Sequence, residues 1–186
     1  MEFLKKYNHS KNIRFSSFEF AIFEAQKRGL KTIVETGCSR GKSKFFFFRK
    51  INWKDGMSTM ILSDYARFIN GILTTCDIEK KNINYAKKFV KQNKDFVNFV
   101  VDDSLNFLSL FEKKIDFLYL DSLDGQFKKA SEHQLDEIKI AKNKLHKNSL
   151  VLLDDKGSKT NLSIDYMLNN NFRILNETKE QVLLSF

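Results

Sequence analysis

The sequence predicts a doubly wound α/β fold: a mostly parallel sheet, helices on both faces, and one antiparallel strand near the end of the chain. Three observations carry the prediction. Apolar runs of strand length alternate with segments of helical period. Every run in the parallel part ends in acid, at Glu35, Asp77, Asp103, Asp121 and Asp154-Asp155. Two last apolar runs, FRILNE and QVLLSF, are separated only by a short turn around Thr178 and Lys179, which requires an antiparallel hairpin.

The elements follow in order. Ser16 or Ser17 is placed to cap a first helix, FEFAIFEAQKRG, closed by Gly29. KTIVE (31–35) is the first strand. STMILSDYARFI reads as a helix with Met60, Ile61, Tyr65 and Phe68 at helical spacing, ended by Gly71, and ILTTCD (72–77) is the next strand. A helix over 79–93 turns Ile83, Ala86, Phe89 and Val90 inward and leaves Lys80, Lys87, Lys91 and Lys94 as a solvated face. FVNFVV (96–101) is followed by a short helix from Ser104. IDFLYLD (115–121) is nearly continuous apolar, as a central parallel strand should be. A helix over 127–146, the strand SLVLLD (149–154) and a helix over 159–170 lead to the hairpin. With no repeat, linker or low-complexity tail, residues 1–186 read as one domain, an N-terminal helical segment (1–30) and a core (31–186).

Composition narrows the setting. No apolar leader is visible in MEFLKKYNHSKN, and no window approaches the ~18 to 20 apolar residues of a membrane span. Cys38 and Cys76 are too few for a disulfide framework or a zinc cluster, so a cytoplasmic, reducing setting is expected. The net charge of +9 comes mostly from lysines scattered over many segments. A nucleic-acid footprint should cluster, so nucleic acid is not the expected partner.

In doubly wound sheets, ligands bind beyond the carboxyl ends of the strands. The first such end, TIVETGCSRGKSKFFFFRK (32–50), has two readings. As a phosphate loop it is one residue short between Gly37 and the Gly41-Lys42-Ser43 triplet, so its amides would not wrap a β-phosphate in the usual way. As a nucleoside site, Glu35 ends a buried strand, Gly37 permits close approach, and Ser58 and Thr59 open a helix whose free amides suit a carboxylate. Asp77 is then placed to grip two ribose hydroxyls, with Asp103 and Ser104 near an adenine edge.

The motifs IVETGC, NWKDGMST, TTCDIE, VDDSLNFL, DFLYLDSLD and SLVLLDD, in this order over residues 30–186, resemble a class I S-adenosylmethionine-dependent methyltransferase. The likeness is greatest to compact bacterial and phage members of the O-methyltransferase type. The resemblance implies a Rossmann-like sheet in the order 3-2-1-4-5-7-6, with S-adenosylmethionine as the methyl donor. It also implies that Glu35, Gly37, Cys38, Gly56, Ser58 and Thr59 surround the methionine end. Asp77 and Ile78 then take the ribose, Asp103 and Ser104 the adenine, and Asp121 borders the donor. The stretch from Ser39 to Asp55, with its run of phenylalanines, is longer than the usual loop. It reads as packing, the rival reading being that Phe45 to Phe48 and Trp53 wall a substrate pocket.

Methyl transfer to a hydroxyl needs alignment and removal of a proton. Asp121, Asp124, Asp154, Asp155 and His133 are the candidate bases, His133 because an imidazole titrates near neutrality. In metal-dependent relatives, magnesium is held by carboxylates after the fourth and fifth strands and by an Asn. Asp121 and Asp155 match the carboxylates, whereas Lys156 stands at the Asn position. Either Asp154 completes a magnesium site with Asp121 and Asp155, or the metal is absent, or Lys156 orients an acidic substrate. The expected partner is a small-molecule acceptor, such as a sugar or metabolite hydroxyl, with no membrane. Either that acceptor is small or a second subunit, in a homo-oligomer, completes the pocket. Two other classes remain: a non-catalytic S-adenosylmethionine-binding module, and a phosphate-binding nucleotide enzyme.

Overall fold

The computed structural model describes residues 1–40, 42–45, 48–53 and 56–186, with backbone only for 42–45 and 48–50. A 3-10 turn at Glu2–Tyr7 precedes α1 (Phe15–Lys27) and β1 (Thr32–Thr36). A small hairpin follows, β2 (Lys42–Phe45) and β3 (Phe48–Ile51), then α2 (Ser58–Phe68), β4 (Ile72–Asp77) and α3 (Lys80–Phe89). The chain continues through β5 (Val97–Val101), α4 (Ser104–Leu110), β6 (Phe117–Leu120), α5 (Ala130–Ala141), β7 (Leu150–Leu153), α6 (Asn161–Leu168), β8 (Arg173–Glu177) and β9 (Val182–Ser185).

The main sheet has the order β5-β4-β1-β6-β7-β9-β8. Numbered without the small hairpin, this is 3-2-1-4-5-7-6, as the resemblance implied. β5 through β7 are parallel, and β9 runs against both β7 and β8.

Position in the sheet explains composition. β6 (FLYL), β7 (LVLL) and β9 (VLLS) are buried throughout, whereas the edge strands β5 and β8 are mostly part-exposed. Alternate residues feed two cores, because successive side chains leave a strand on opposite faces. Ile33, Phe117, Tyr119, Leu152 and Leu183 pack with Phe18, Ile22, Ile61 and Tyr65 of α1 and α2. Val34, Leu118, Leu120, Val151 and Leu184 pack with Ile138 and Met167 of α5 and α6. A strand buried on both faces cannot alternate with polar residues, and so its sequence reads as a continuous apolar run.

Some helix boundaries differ from expectation. Ser16 and Ser17 lie inside the first turn of α1, which has Arg14 at its cap and no side-chain capping bond. Ser17 Oγ instead donates to the Arg14 carbonyl oxygen. After α2, Asn70 takes the left-handed conformation at φ 51°. Gly71 is needed for another reason: a Cβ there would lie 2.5 Å from the Lys31 carbonyl oxygen. Residues 42–45 and 48–51 form the β2–β3 ladder, from Lys42↔Ile51 to Phe45↔Phe48. Phe46, Phe47 and Asp55 lie outside the described residues, as does Gly41 of the phosphate-loop reading. Trp53 packs on the N-terminal segment, its ring centroid 4.4 Å from His9 and 6.1 Å from Tyr7.

Candidate active site

The carboxyl ends of β1, β4, β6 and β7 meet at two adjacent cavities. The first, about 260 Å³, is walled by Gly37, Cys38, Asp77, Ile78, Asn82 and Asp121 among others. The second, about 480 Å³, is walled by Arg14, Gln126, Asp155 and Ser158 together with Arg40, Asp121 and Asp124, which it shares with the first. A larger cavity of about 620 Å³ opens beside the amino ends of β1 and β4, at Lys31, Thr32, Gly71 and Ile72. It includes none of the tips of β1, β4 and β6, so chemistry favours the smaller pair over size alone.

In the first cavity, Gly37 has φ +79°, and a Cβ on it would sit 2.1 Å from the Asp121 carbonyl oxygen. The tips of β1 and β6 therefore approach closely only because this residue is glycine. Asp77 is held on several sides. Its Oδ1 accepts from the Glu79 amide at 2.8 Å and Asn82 Nδ2 at 3.1 Å, and its Oδ2 accepts from the Cys38 amide at 3.3 Å. Asn82, five residues beyond Asp77 on α3, had no mark in the sequence beyond its polarity. Burial, with the Asp77 charge adding to it, pushes the Cys38 thiol well above its ordinary range, so Cys38 stands on the cavity wall as a neutral thiol.

Several expected ligand residues stand behind this wall. Glu35 is fully buried. Its Oε2 accepts from Thr59 Oγ1 at 2.8 Å and Thr75 Oγ1 at 2.6 Å, and burial pushes its carboxyl up to about 7. Ser58 and Thr59 are buried, and the Thr59 amide donates to Ser39 Oγ at 3.0 Å. That amide, expected to meet a ligand carboxylate, is therefore used internally. Gly56 is buried against Arg14, whose Cδ would lie 3.1 Å from an added Cβ.

Asp103 caps α4, accepting from the Leu105 and Asn106 amides at 2.9 and 3.3 Å. Ser104 Oγ lies 2.9 Å from His133 Nε2. His133 in turn stands 3.8 Å from Glu137, whose carboxyl is fully buried and raised by that burial. Asp103, Ser104 and His133 line neither cavity. Short polar side chains beside a helix start satisfy its free amides first, which explains where Asp103 and Ser39 went.

The acidic cluster of the second cavity is the main departure. One carboxylate oxygen each from Asp121, Asp154 and Asp155 lies within 4.8 Å of the others. Two cationic side chains reach them. Arg14 Nε lies 2.7 Å and 3.0 Å from the two Asp154 oxygens, and its NH2 lies 2.9 Å from Asp155 Oδ1. Lys159 Nζ lies 2.7 Å from Asp121 Oδ1 and 3.3 Å from Asp155 Oδ2, and donates to the Leu123 carbonyl oxygen at 3.1 Å. Lys159 is 2% exposed, and its acidic neighbours raise its ammonium well above the ordinary lysine range despite burial.

Burial and the Asp154 charge push the Asp121 carboxyl up, with the Lys159 ammonium opposing them. Asp155 sits at φ 57°, a left-handed conformation that short Asp tolerates better than most residues. Lys156, expected near the acids, pairs with Glu177 at 2.6 Å instead. Magnesium takes near-octahedral oxygen ligands and is repelled by fixed cations. With both oxygens of Asp154 and Asp155 and one of Asp121 already facing Arg14 or Lys159, the set does not fit that ion.

A seven-stranded sheet in this order, with acidic tips around a cavity over its two central parallel strands, defines a class: the Rossmann-like methyltransferases. Residues 34–156 match the model of the family described as methyltransferase domain, and the chain belongs to that family. No curated protein matches the sequence. Among solved structures, an SAH-bound methyltransferase of Podospora anserina aligns with a TM-score of 0.67 at 15% identity, over 100% of this chain and 85% of that one. The Bacillus cereus O-methyltransferase in complex with SAH gives 0.62 at 13%, over 100% and 88%. An rRNA methylase of Streptococcus thermophilus gives 0.64 at 11%, over 95% and 98%. Such identities speak for the fold. Among the described residues, no helix is long and apolar enough to cross a membrane.

Proposed function

We propose that this methyltransferase moves the methyl group of S-adenosylmethionine to a hydroxyl of a small polar acceptor. The carrying observation is that Asp121 lines both cavities. A carboxylate on the shared wall stands where a donor methyl on one side and an acceptor oxygen on the other would meet. In this reading Asp77, oriented by Asn82 and the Glu79 amide, accepts hydrogen bonds from the two ribose hydroxyls. Gly37 lets the donor lie against the backbone. Asp121 takes the hydroxyl proton as the acceptor oxygen attacks the methyl carbon, and the carbon–sulfur bond breaks with its electron pair left on sulfur. A carboxyl raised by burial is a stronger base than an ordinary one. His133 lines neither cavity, and this reading gives it no part in the transfer.

The polar second cavity supports a hydroxylated acceptor. The test is calorimetry with S-adenosylhomocysteine. Saturation at about 100 times the dissociation constant should stabilise the chain by ~2.7 kcal/mol. Asp77→Ala should weaken binding by about tenfold or more, the loss of charge-assisted hydrogen bonds. Absence of S-adenosylhomocysteine binding to the wild type would sink the reading; where it binds, a labelled-methyl assay over hydroxylated acceptors identifies the substrate.

A further inference from the structure

The acidic cluster at the tips of β6 and β7 contains its own cations. We infer that Lys159, with Arg14 beside it, fills the seat that a divalent cation would take among Asp121, Asp154 and Asp155, and that the second cavity works without a metal ion. The inference rests on the proposed function only for what the cavity does. The cation chemistry stands on geometry alone.

A hard dication and a buried ammonium ask for the same thing, several carboxylate oxygens converging on one point. Here the Lys159 ammonium has them, at 2.7 Å from Asp121 and 3.3 Å from Asp155. Its third donor direction goes to the Leu123 carbonyl oxygen at 3.1 Å. One side chain thus ties the loop after β6 to the loop after β7, the joining task that a bridging ion performs elsewhere. Arg14 closes the remaining side through Asp154 and Asp155. An added dication would have to displace an ammonium that is 2% exposed, leaving that charge buried without partners. Lys159 is therefore a positioning residue: it fixes the Oδ1 of Asp121 and leaves the Oδ2, 3.5 Å from the Tyr119 hydroxyl, outside both ion pairs.

The test uses Mn²⁺ as the probe, followed by the electron paramagnetic resonance signal of the free ion. Wild-type protein should leave that signal unchanged, and its S-adenosylhomocysteine affinity should be equal in EDTA and in Mg²⁺. Lys159→Ala, which exposes the acids, should bind Mn²⁺ at least about tenfold more tightly than the wild type, since a repelling charge has gone. Lys159→Ala/Asp155→Asn should lose that gain. Stoichiometric Mn²⁺ uptake by the wild type, abolished by Asp155→Asn, would overturn the inference. So would a folded Lys159→Ala variant that takes up no ion. If that variant does not fold, the wild-type titration decides alone. Failure of S-adenosylhomocysteine to bind sinks the proposed function instead, because the Mn²⁺ arm needs no cofactor.

Discussion

Glu35 illustrates how a single carboxyl can act on stability rather than on a ligand. Its ordinary value is 4.5, and burial raises it to about 7 in the fold. Between these values the unfolded chain sheds the proton while the folded chain keeps it. Stability is therefore complete below pH 4.5, declines as pH rises to about 7, and levels off above, by about 3 kcal/mol in all. Glu35→Gln removes this dependence and keeps an acceptor for Thr59 and Thr75. Urea unfolding at pH 5 and pH 8 should show the variant gaining on the wild type across that window, and parallel behaviour would refute the assignment. The sequence marked Glu35 as a strand-end acid but not its direction. Strand period places its neighbours on two faces, whereas the partners Thr59 and Thr75 lie 24 and 40 residues away. That Gly37, Asp77 and Asp121 would border a cavity was legible, because the crevice of a doubly wound sheet opens beyond the carboxyl ends of its strands.

At the scale of elements, the strands were readable and the caps were not. Burial on both faces writes itself into a strand as an apolar run, so β6 and β7 appeared where FLYL and LVLL stand. A cap depends on which of several short polar residues reaches the free amides, and neighbours compete for that role. Ser16 and Ser17 lost to the backbone turn at Arg14, while Asp103 took the start of α4. The last point is testable. α4 is only Ser104–Leu110, and Asp103 accepts from two of its amides. Asp103→Ala should cost about 1 kcal/mol in urea unfolding, the usual worth of such a cap. S-adenosylhomocysteine affinity should stay unchanged, because Asp103 does not line the cavity beside Asp77. A large loss of affinity with stability intact would return Asp103 to the adenine role that the sequence resemblance implied.

Across the whole molecule, the strand order followed from the motifs and the reversed strand from a short turn, but the closure of the chain on itself had no local signature. The N-terminal segment is fastened to the far end of the sheet: Ser17 Oγ donates to Gln181 Oε1, Arg28 reaches Ser185 Oγ at 2.6 Å, and Arg14 meets Asp154 across 140 residues. Arg14 is one of 32 basic residues, and no periodicity distinguishes it from the rest. Its side chain is 8% exposed and that of Asp154 is 2% exposed, so neither charge is left to water. Removing one partner strands the other. Arg14→Met should cost ~3 to 5 kcal/mol, whereas Arg14→Met/Asp154→Asn, which removes both charges and keeps the shape of each side chain, should recover much of that loss. Asp155 loses Arg14 and keeps Lys159 in both variants, so the difference between them reports the stranded Asp154 charge. If the single substitution costs under about 1 kcal/mol, the guanidinium is not the clasp of the N-terminal segment. If the double variant is no more stable than the single, the damage lies in lost packing around the Arg14 stem, which touches Gly56, rather than in an unpaired charge.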